Sequence, residues 1–371
     1  SDDAAPRDEV VLEGVNVRLI HDPAWIPCPG SVRHLDDVAL RQAELLGYPI
    51  PGRLTYRFLR DLASAPCARF ERGGCTSGGT TIWSNLPDLT HELVHAILIP
   101  QKGYSRPFFE EGVAVALGGS DVSEPARYDL PTEELLGAAP LPQELYGTAG
   151  DFVSFLLTRY GAERLRALFP EVRNDVSVEA ADAALERVYG KRFQALVDER
   201  RSSGILFDEA RLGVPECGGD PKAWEGTAWR TEVAVTCDAE AIGVASGEDG
   251  GLAWRYTTID VPEDGVYRMA TSATGTGGVT FRHCQAGEEL AITTTPEATT
   301  TGSIQGRLLV TPVALRKGRH SVRTAGRANE RTTFTVTLDR SSPISGTCAA
   351  PPETLDPSAD GFYLAPRVAS L

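Results

Sequence analysis

The sequence predicts two joined units: an α+β domain with a small sheet and a mostly helical remainder, followed by an all-β sandwich. Three observations predict it. Strand-like runs alternate with long helical ones from residue 10 to about residue 201. Helical periodicity then stops within SSGILFDEARLGVPECGGDP, and from 217 to about 348 the chain turns to short alternating segments rich in Thr, Val and Gly. The boundaries follow as 1–205 for the first unit, 206–216 for a linker, 217–348 for the sandwich and 349–371 for an irregular tail. At 371 residues the chain is long enough for two cores.

VVLEGVNVRLI alternates as one strand, and SVRHLDDVALRQAELLGYPIP reads as a helix stopped by Gly47 and Pro49. RLTYRFLRD and GGTTIWSN are two further strands. DLTHELVHAILI is helical by the spacing of Leu89, Leu93, Ala96 and Ile97, with Pro100 and Gly103 ending it. SRPFFEEGVAVALGGS starts another helix with Pro107 in its first turn. QELYGTAGDFVSFLLTRYGAERLRALF and EAADAALERVYGKRFQALVDERR complete the helical part. Seven runs follow, TEVAVTC, LAWRYTTIDV, GVYRMATSA, GGVTFRHC, GRLLVTPVAL, GRHSVRTAG and RTTFTVTL, each bounded by turn residues in the manner of a β-sandwich.

Thirty-six basic against 51 acidic residues give a net charge of -15, which repels phosphate backbones, so no nucleic-acid partner is expected. No apolar run reaches the roughly 18–20 residues of a membrane span. The seven cysteines form no CxxC pair, and their scatter suits disulfides in an exported protein: secreted, periplasmic or attached to the cell envelope. The opening SDDAAPRDEV reads as the start of a processed chain.

Thr90-His91-Glu92-Leu93-Val94-His95-Ala96 carries the chemistry. Residues four apart on a helix lie about 40° apart around its axis, so His91 and His95 project from one face and can share one ion. Zinc accepts neutral imidazole nitrogens, and a catalytic site needs a third protein ligand and a water. Glu92 is placed to act as general base on that water. The metzincin arrangement is excluded, because Leu98 and Gln101 stand where its glycine and third histidine belong. His21, His34, His283 and His320 show no helical pairing and are left out. Downstream, PFFEEGVAVAL puts Glu110 and Glu111 on the next helix, among residues small enough for close helix approach.

HELVHA followed by EGVAVAL resembles the gluzincin metallopeptidases, and within them the compact bacterial peptidases that read HExxHA, then an aromatic-rich EGxA, then a helix ending in YG. The likeness covers roughly residues 10–200 and is concentrated in the two motifs. It implies a zincin-like catalytic domain, Zn²⁺ held by His91, His95 and Glu111, and a peptide or protein substrate. Glu110, about 100° away on the helix, is then a solvated or capping carboxylate, and Asp151 is a minor alternative ligand. Thr81, Ile82 and Trp83 are the candidates for an edge strand that pairs with an extended peptide, with an ordinary sheet strand as the plain alternative. Tyr146, and after it Tyr104, is the candidate oxyanion donor; a packed core tyrosine is the alternative for each.

Cys67 and Cys75 are expected to close a loop beside that strand, and Cys217–Cys237 with Cys284–Cys348 to staple the sandwich, leaving Cys28 unpaired. The main functional expectation is a zinc-dependent peptidase. The alternative is an inactive or self-covered scaffold that acts as a binding protein through the sandwich, with a surface or carbohydrate target. Hydrolysis of another amide, such as a cell-wall peptide, is a third.

Overall fold

The computed structural model describes residues 9–63, 65–66, 73–118, 126–203, 217, 219–245, 251–284, 289–290 and 309–340. The expected linker 206–216, the tail 349–371, Cys67 and Cys348 lie outside them. Within them the molecule is a mixed helix-and-sheet unit followed by a two-sheet β-sandwich.

The first run is two strands where one was expected: β1 (Val10–Glu13) and β2 (Val17–His21) form an antiparallel hairpin. The physical reason lies on the following helix. Asp36 accepts the amide hydrogens of Val15, Asn16 and Val17 at 2.6–2.7 Å, which wraps the turn around its carboxylate. A side chain at Gly14 would overlap that carboxylate. Helix α1 (Gly30–Leu46) buries Leu35, Val38, Ala39, Ala43 and Leu46 on one face and ends at Gly47, whose left-handed backbone (φ 65°) carries the C-cap. It links β2 to the parallel strand β3 (Leu54–Phe58).

The sheet is completed by β4 (Gly74–Thr76) and β5 (Thr81–Ser84) in the order β1-β2-β3-β5-β4. This corrects the expectation for Thr81, Ile82 and Trp83. Their strand is interior, bound by β3 on one side and by β4 on the other, so its ladder is not open to a peptide. The edge belongs to β4.

Helix α2 (His91–Lys102) runs past Pro100, contrary to the expected stop; the helix ends at Gly103, whose N–H bonds Ile99 O at 2.9 Å. Helix α3 (Pro107–Gly118) begins on its proline as expected. It is followed by α4 (Thr132–Gly137), α5 (Tyr146–Tyr160), α6 (Ala162–Leu168), α7 (Val178–Tyr189) and α8 (Phe193–Ser202). These helices share a core built on Phe108, Phe109, Phe152, Phe155, Phe169 and Phe193. A second core lies between α1, α2 and the sheet, around Leu35, Tyr56, Phe58 and Ile97.

The sandwich pairs two antiparallel sheets. The first runs β11-β10-β13-β8-β7, using β7 (Ile242–Val244), β8 (Leu252–Val261), β10 (Gly277–His283), β11 (Glu289–Leu290) and β13 (Gly318–Arg327). The second runs β12-β9-β14-β6, using β6 (Ala228–Val235), β9 (Gly265–Ala273), β12 (Leu309–Leu315) and β14 (Thr332–Asp339). Strict alternation in β14 sends Thr332, Phe334, Val336 and Leu338 inward. There Phe334, Val336 and Leu338 join a core with Trp229, Met269 and Val322 among its members. The seven expected strands are present; β7 and β11 are additional and short.

The disulfides differ from expectation. Cys28, expected to be unpaired, bonds Cys237, and Cys217 bonds Cys284. Cys75 is disulfide-bonded as expected, though its expected partner, Cys67, is not among the described residues. Cys28 is fully buried and packs with the sandwich core, so the first bridge joins the two units. Backbone bonds surround it: Cys28 N–H to Gly243 O at 2.8 Å, Ala245 N–H to Ile26 O at 2.8 Å and Gly30 N–H to Asp238 O at 3.1 Å. Ser31 Oγ accepts from Gly243 N–H at 3.1 Å, and the His34 ring stacks on Tyr256. The sequence pattern carried no sign of this, because the partners stand 209 residues apart.

Candidate metal centre

Three helices build the centre. Helix α2 presents His91 and His95 one turn apart, α3 crosses it with Glu111, and α5 lies against α3 with Tyr146 at its first position. Glycines set the crossings. A Cβ at Gly118 would lie 2.5 Å from the Cα and N of His91, and one at Gly112 would lie 2.7 Å from Ala149 O. The helices therefore approach backbone to backbone, which short ligand side chains require.

Glu111 Oε2 lies 3.1 Å from His91 Nε2 and 3.5 Å from His95 Nε2, and the two Nε2 atoms are 3.2 Å apart. Ligands at roughly 2.0–2.1 Å around a tetrahedral ion stand about 3.3 Å from one another. The three donors thus fit one triangular face of such a site. Among the described residues, these three form the group of His, Cys, Asp or Glu donors close enough to hold one ion. One detail is unfavourable: His95 Nδ1 is buried without a hydrogen-bond partner, where ligating histidines ordinarily donate to a neighbour.

The electrostatics are those of a carboxylate held between two imidazoles. Burial pulls the His95 pKa down, but Glu111 outweighs it together with Glu92 and Glu110, so that it is raised to about 9. Burial pushes Glu111 up, and the two histidines more than reverse this, holding it well below the usual carboxylate range. Tyr146 stacks on His91 with ring centroids 6.1 Å apart and an interplanar angle of 5°. Burial, and then the charge of Glu111 and a hydrogen bond to it, raise its pKa. A neutral phenol donating to the Glu111 carboxylate is the arrangement this describes.

The structure brings together His91, His95, Glu111 and Tyr146. Glu92 is buried beside them and acts on His95 and Tyr146 through its charge, outside the set of converging donors. Glu110 is a capping carboxylate: it accepts Ser105 N–H at 2.7 Å and faces Lys102 at 3.7 Å, and it is buried rather than solvated. Tyr104 is exposed and sits over Gly78, away from the donors. Asp151 pairs with Arg200 at 2.6 Å and 2.8 Å, which explains its burial without a metal.

Sequence reasoning missed the residues that hold α2 against α3. Gln42 on α1 donates from Nε2 to Thr90 O at 3.0 Å and to Leu117 O at 3.3 Å, and Thr90 Oγ1 donates to Gly118 O at 2.8 Å. A signal existed: Gln42 falls among the apolar positions Leu35, Val38, Ala39, Ala43 and Leu46.

No protein-family model matches the sequence, and no curated protein matches it. Solved structures do show likeness. The isomalto-dextranase of Arthrobacter globiformis T6, complexed with panose, is 11% identical over 32% of this chain and 24% of its own, with a TM-score of 0.21. A carbohydrate-binding module of Cellvibrio mixtus lichenase 5A, in complex with cellotriose, is 17% identical over 33% of this chain and 92% of its own, with a TM-score of 0.18. The C-terminal family 6 carbohydrate-binding module of a Zobellia galactanivorans laminarinase is 13% identical over 30% of this chain and all of its own (100%), with a TM-score of 0.17. The expectation of a peptidase acting on a peptide or protein substrate is corrected here: the likenesses are to carbohydrate-binding modules and carbohydrate-active enzymes.

Proposed function

We propose that this chain is a metal-bearing binding protein: a gluzincin-like, zincin-type scaffold that encloses a zinc ion, with a β-sandwich fixed to it as the working part. The observation that carries the reading is the union of the two units at Cys28–Cys237, while the two histidine donors are buried and Glu111 is half-buried. The His91 and His95 side chains are 8% and 7% exposed, which leaves little of the centre in reach of a large partner. In this reading His91, His95 and Glu111 hold the ion, and Tyr146 braces Glu111. The nitrogen and carboxylate donors suit Zn²⁺. Bound there, the ion would supply Lewis acidity and a crosslink between α2 and α3.

The ligand class proposed for the sandwich is carbohydrate, supported by the chemistry of one surface. Trp224 is partly buried, packs on Tyr267 and donates from Nε1 to Asp260 O at 2.8 Å. Asp260 accepts from Arg319 Nε at 3.0 Å and Nη2 at 3.4 Å, and Arg340 pairs with Glu263 at 2.5 Å. An indole flanked by charged hydrogen-bonding groups offers an apolar face to the C–H side of a sugar ring and partners to its hydroxyls. The disulfides suit an oxidising, extracellular setting. No helix among the described residues is long and apolar enough to cross a membrane.

The test has two readouts on the purified chain: metal content by elemental analysis, and binding to soluble α- and β-glucans by affinity electrophoresis. The expected result is one zinc per chain and retardation by at least one glucan that Trp224→Ala abolishes. A chain without stoichiometric metal overturns the first half, and equal retardation of Trp224→Ala overturns the second.

A further inference from the structure

Gln42 occupies an unusual position. It is 2% exposed on the apolar face of α1, where Leu or Ala would pack as its neighbours do. Its amide orientation is fixed by chemistry: both contacts are carbonyl oxygens, so the NH₂ end must face them. Its own Oε1 is left buried without a partner, an unfavourable arrangement for a residue that only fills space. The two carbonyls belong to Thr90, directly before His91, and to Leu117 near the C-terminal end of α3, where helix carbonyls lack intrahelical partners. Thr90 Oγ1 makes the same kind of contact to Gly118 O, the next carbonyl along.

From this geometry we infer that Gln42 and the Thr90 hydroxyl form a clasp that fixes the separation of α2 and α3, and that they are positioning residues for the His91–His95–Glu111 centre. The inference rests on the reading of that centre as a metal site. Neither residue touches the donor triangle. Both act on where its corners stand: Thr90 precedes His91, and Leu117 and Gly118 close the helix that carries Glu111. The spacing of 3.1–3.5 Å between donors leaves little tolerance, because a shift of α3 by a fraction of an ångström moves Glu111 off the triangle.

The experiment uses the full chain. Zn²⁺ affinity is measured by chelator competition, the visible spectrum of the Co²⁺ form reports coordination geometry, and the melting temperature of the metal-free chain reports the fold. Gln42→Met keeps length and apolar packing and removes the donor. Thr90→Val removes the hydroxyl at nearly constant shape, and Thr90→Ser keeps it. The expected result is Zn²⁺ affinity at least tenfold weaker and an altered Co²⁺ spectrum in Gln42→Met and Thr90→Val, with Thr90→Ser close to the parent. Parental affinity and spectrum in Gln42→Met and Thr90→Val, whatever their melting temperatures, would overturn the clasp. Should Gln42→Met not fold, the Thr90 pair decides alone: equal affinities of Val and Ser overturn the inference. Failure of the parent chain to bind Zn²⁺ or Co²⁺ is a different outcome, which overturns the metal reading itself.

Discussion

Glu111 stands 20 residues beyond His91 in sequence, yet its Oε2 lies 3.1 Å from the His91 Nε2. That contact depends on Gly118, which lets the end of α3 lie against the start of α2 with no room for a Cβ. Gly118→Ala is expected to force the helices apart, at the cost of about 1–3 kcal/mol that overpacking usually brings. Part of that cost will appear as Zn²⁺ affinity weakened by on the order of tenfold to a hundredfold. Chelator competition on parent and variant checks it.

Glu92 and Glu111 should separate cleanly. Glu111→Gln removes a donor from the triangle and is expected to lose stoichiometric metal. Glu92→Gln leaves all three donors in place and should still hold one ion per chain. Its affinity should fall by less than the roughly 10–100-fold typical when an outer hydrogen-bond partner of a metal ligand is lost. Equal loss of metal in both variants would place Glu92 among the ligands.

The pair Asp151–Arg200 is buried, with side chains 5% and 11% exposed, and Asp151 also accepts from Tyr128. Removing one partner takes from the other the charge it is paired with. Asp151→Asn is therefore expected to destabilise the helical part by about 3–5 kcal/mol while metal content stays at the parental level. Denaturant titration and elemental analysis measure the two effects separately.

Lys102 gives a pH signature. Burial lowers its pKa from 10.5 to about 8 despite the opposing pull of Glu110, and its side chain is 2% exposed. Below pH 8 the folded and unfolded chains are both protonated there, and the folded chain bears the whole cost of the buried charge. Between pH 8 and about 10.5 the folded chain releases its proton first, so this residue's contribution to stability rises with pH. The rise amounts to roughly 3 kcal/mol in total. Lys102→Met should lack it, so the stability of the parent relative to the variant should climb between pH 7.5 and 9.5.

Much of this architecture is legible in the sequence for local reasons. The HELVHA and EGVAVAL stretches fix which side chains share a helix face, and alternation in RTTFTVTL fixes which face of β14 is buried. What escaped reading depends on partners far along the chain. The split of β1 from β2 needs Asp36, some 20 residues on, and the interior place of β5 is decided by β4, a three-residue strand too short to announce itself. Propensity alone makes Pro100 a stop, but one lost N–H is tolerated where α2 is packed on several sides. The clasp from Gln42 joins three helices that no spacing rule connects.

The bridge between Cys28 and Cys237 has a topological consequence. It closes a ring of backbone from residue 28 to residue 237, which contains α1 to α8 with the His91–His95–Glu111 cluster and the passage into the sandwich, and leaves β1 and β2 outside. One cut within that ring, at a protease site engineered between residues 203 and 217, would open the polypeptide without releasing either half. The nicked molecule should migrate as a single species on a non-reducing gel and resolve into two fragments only after a thiol reductant is added. Covalent continuity here has two routes, and the peptide chain is only one of them.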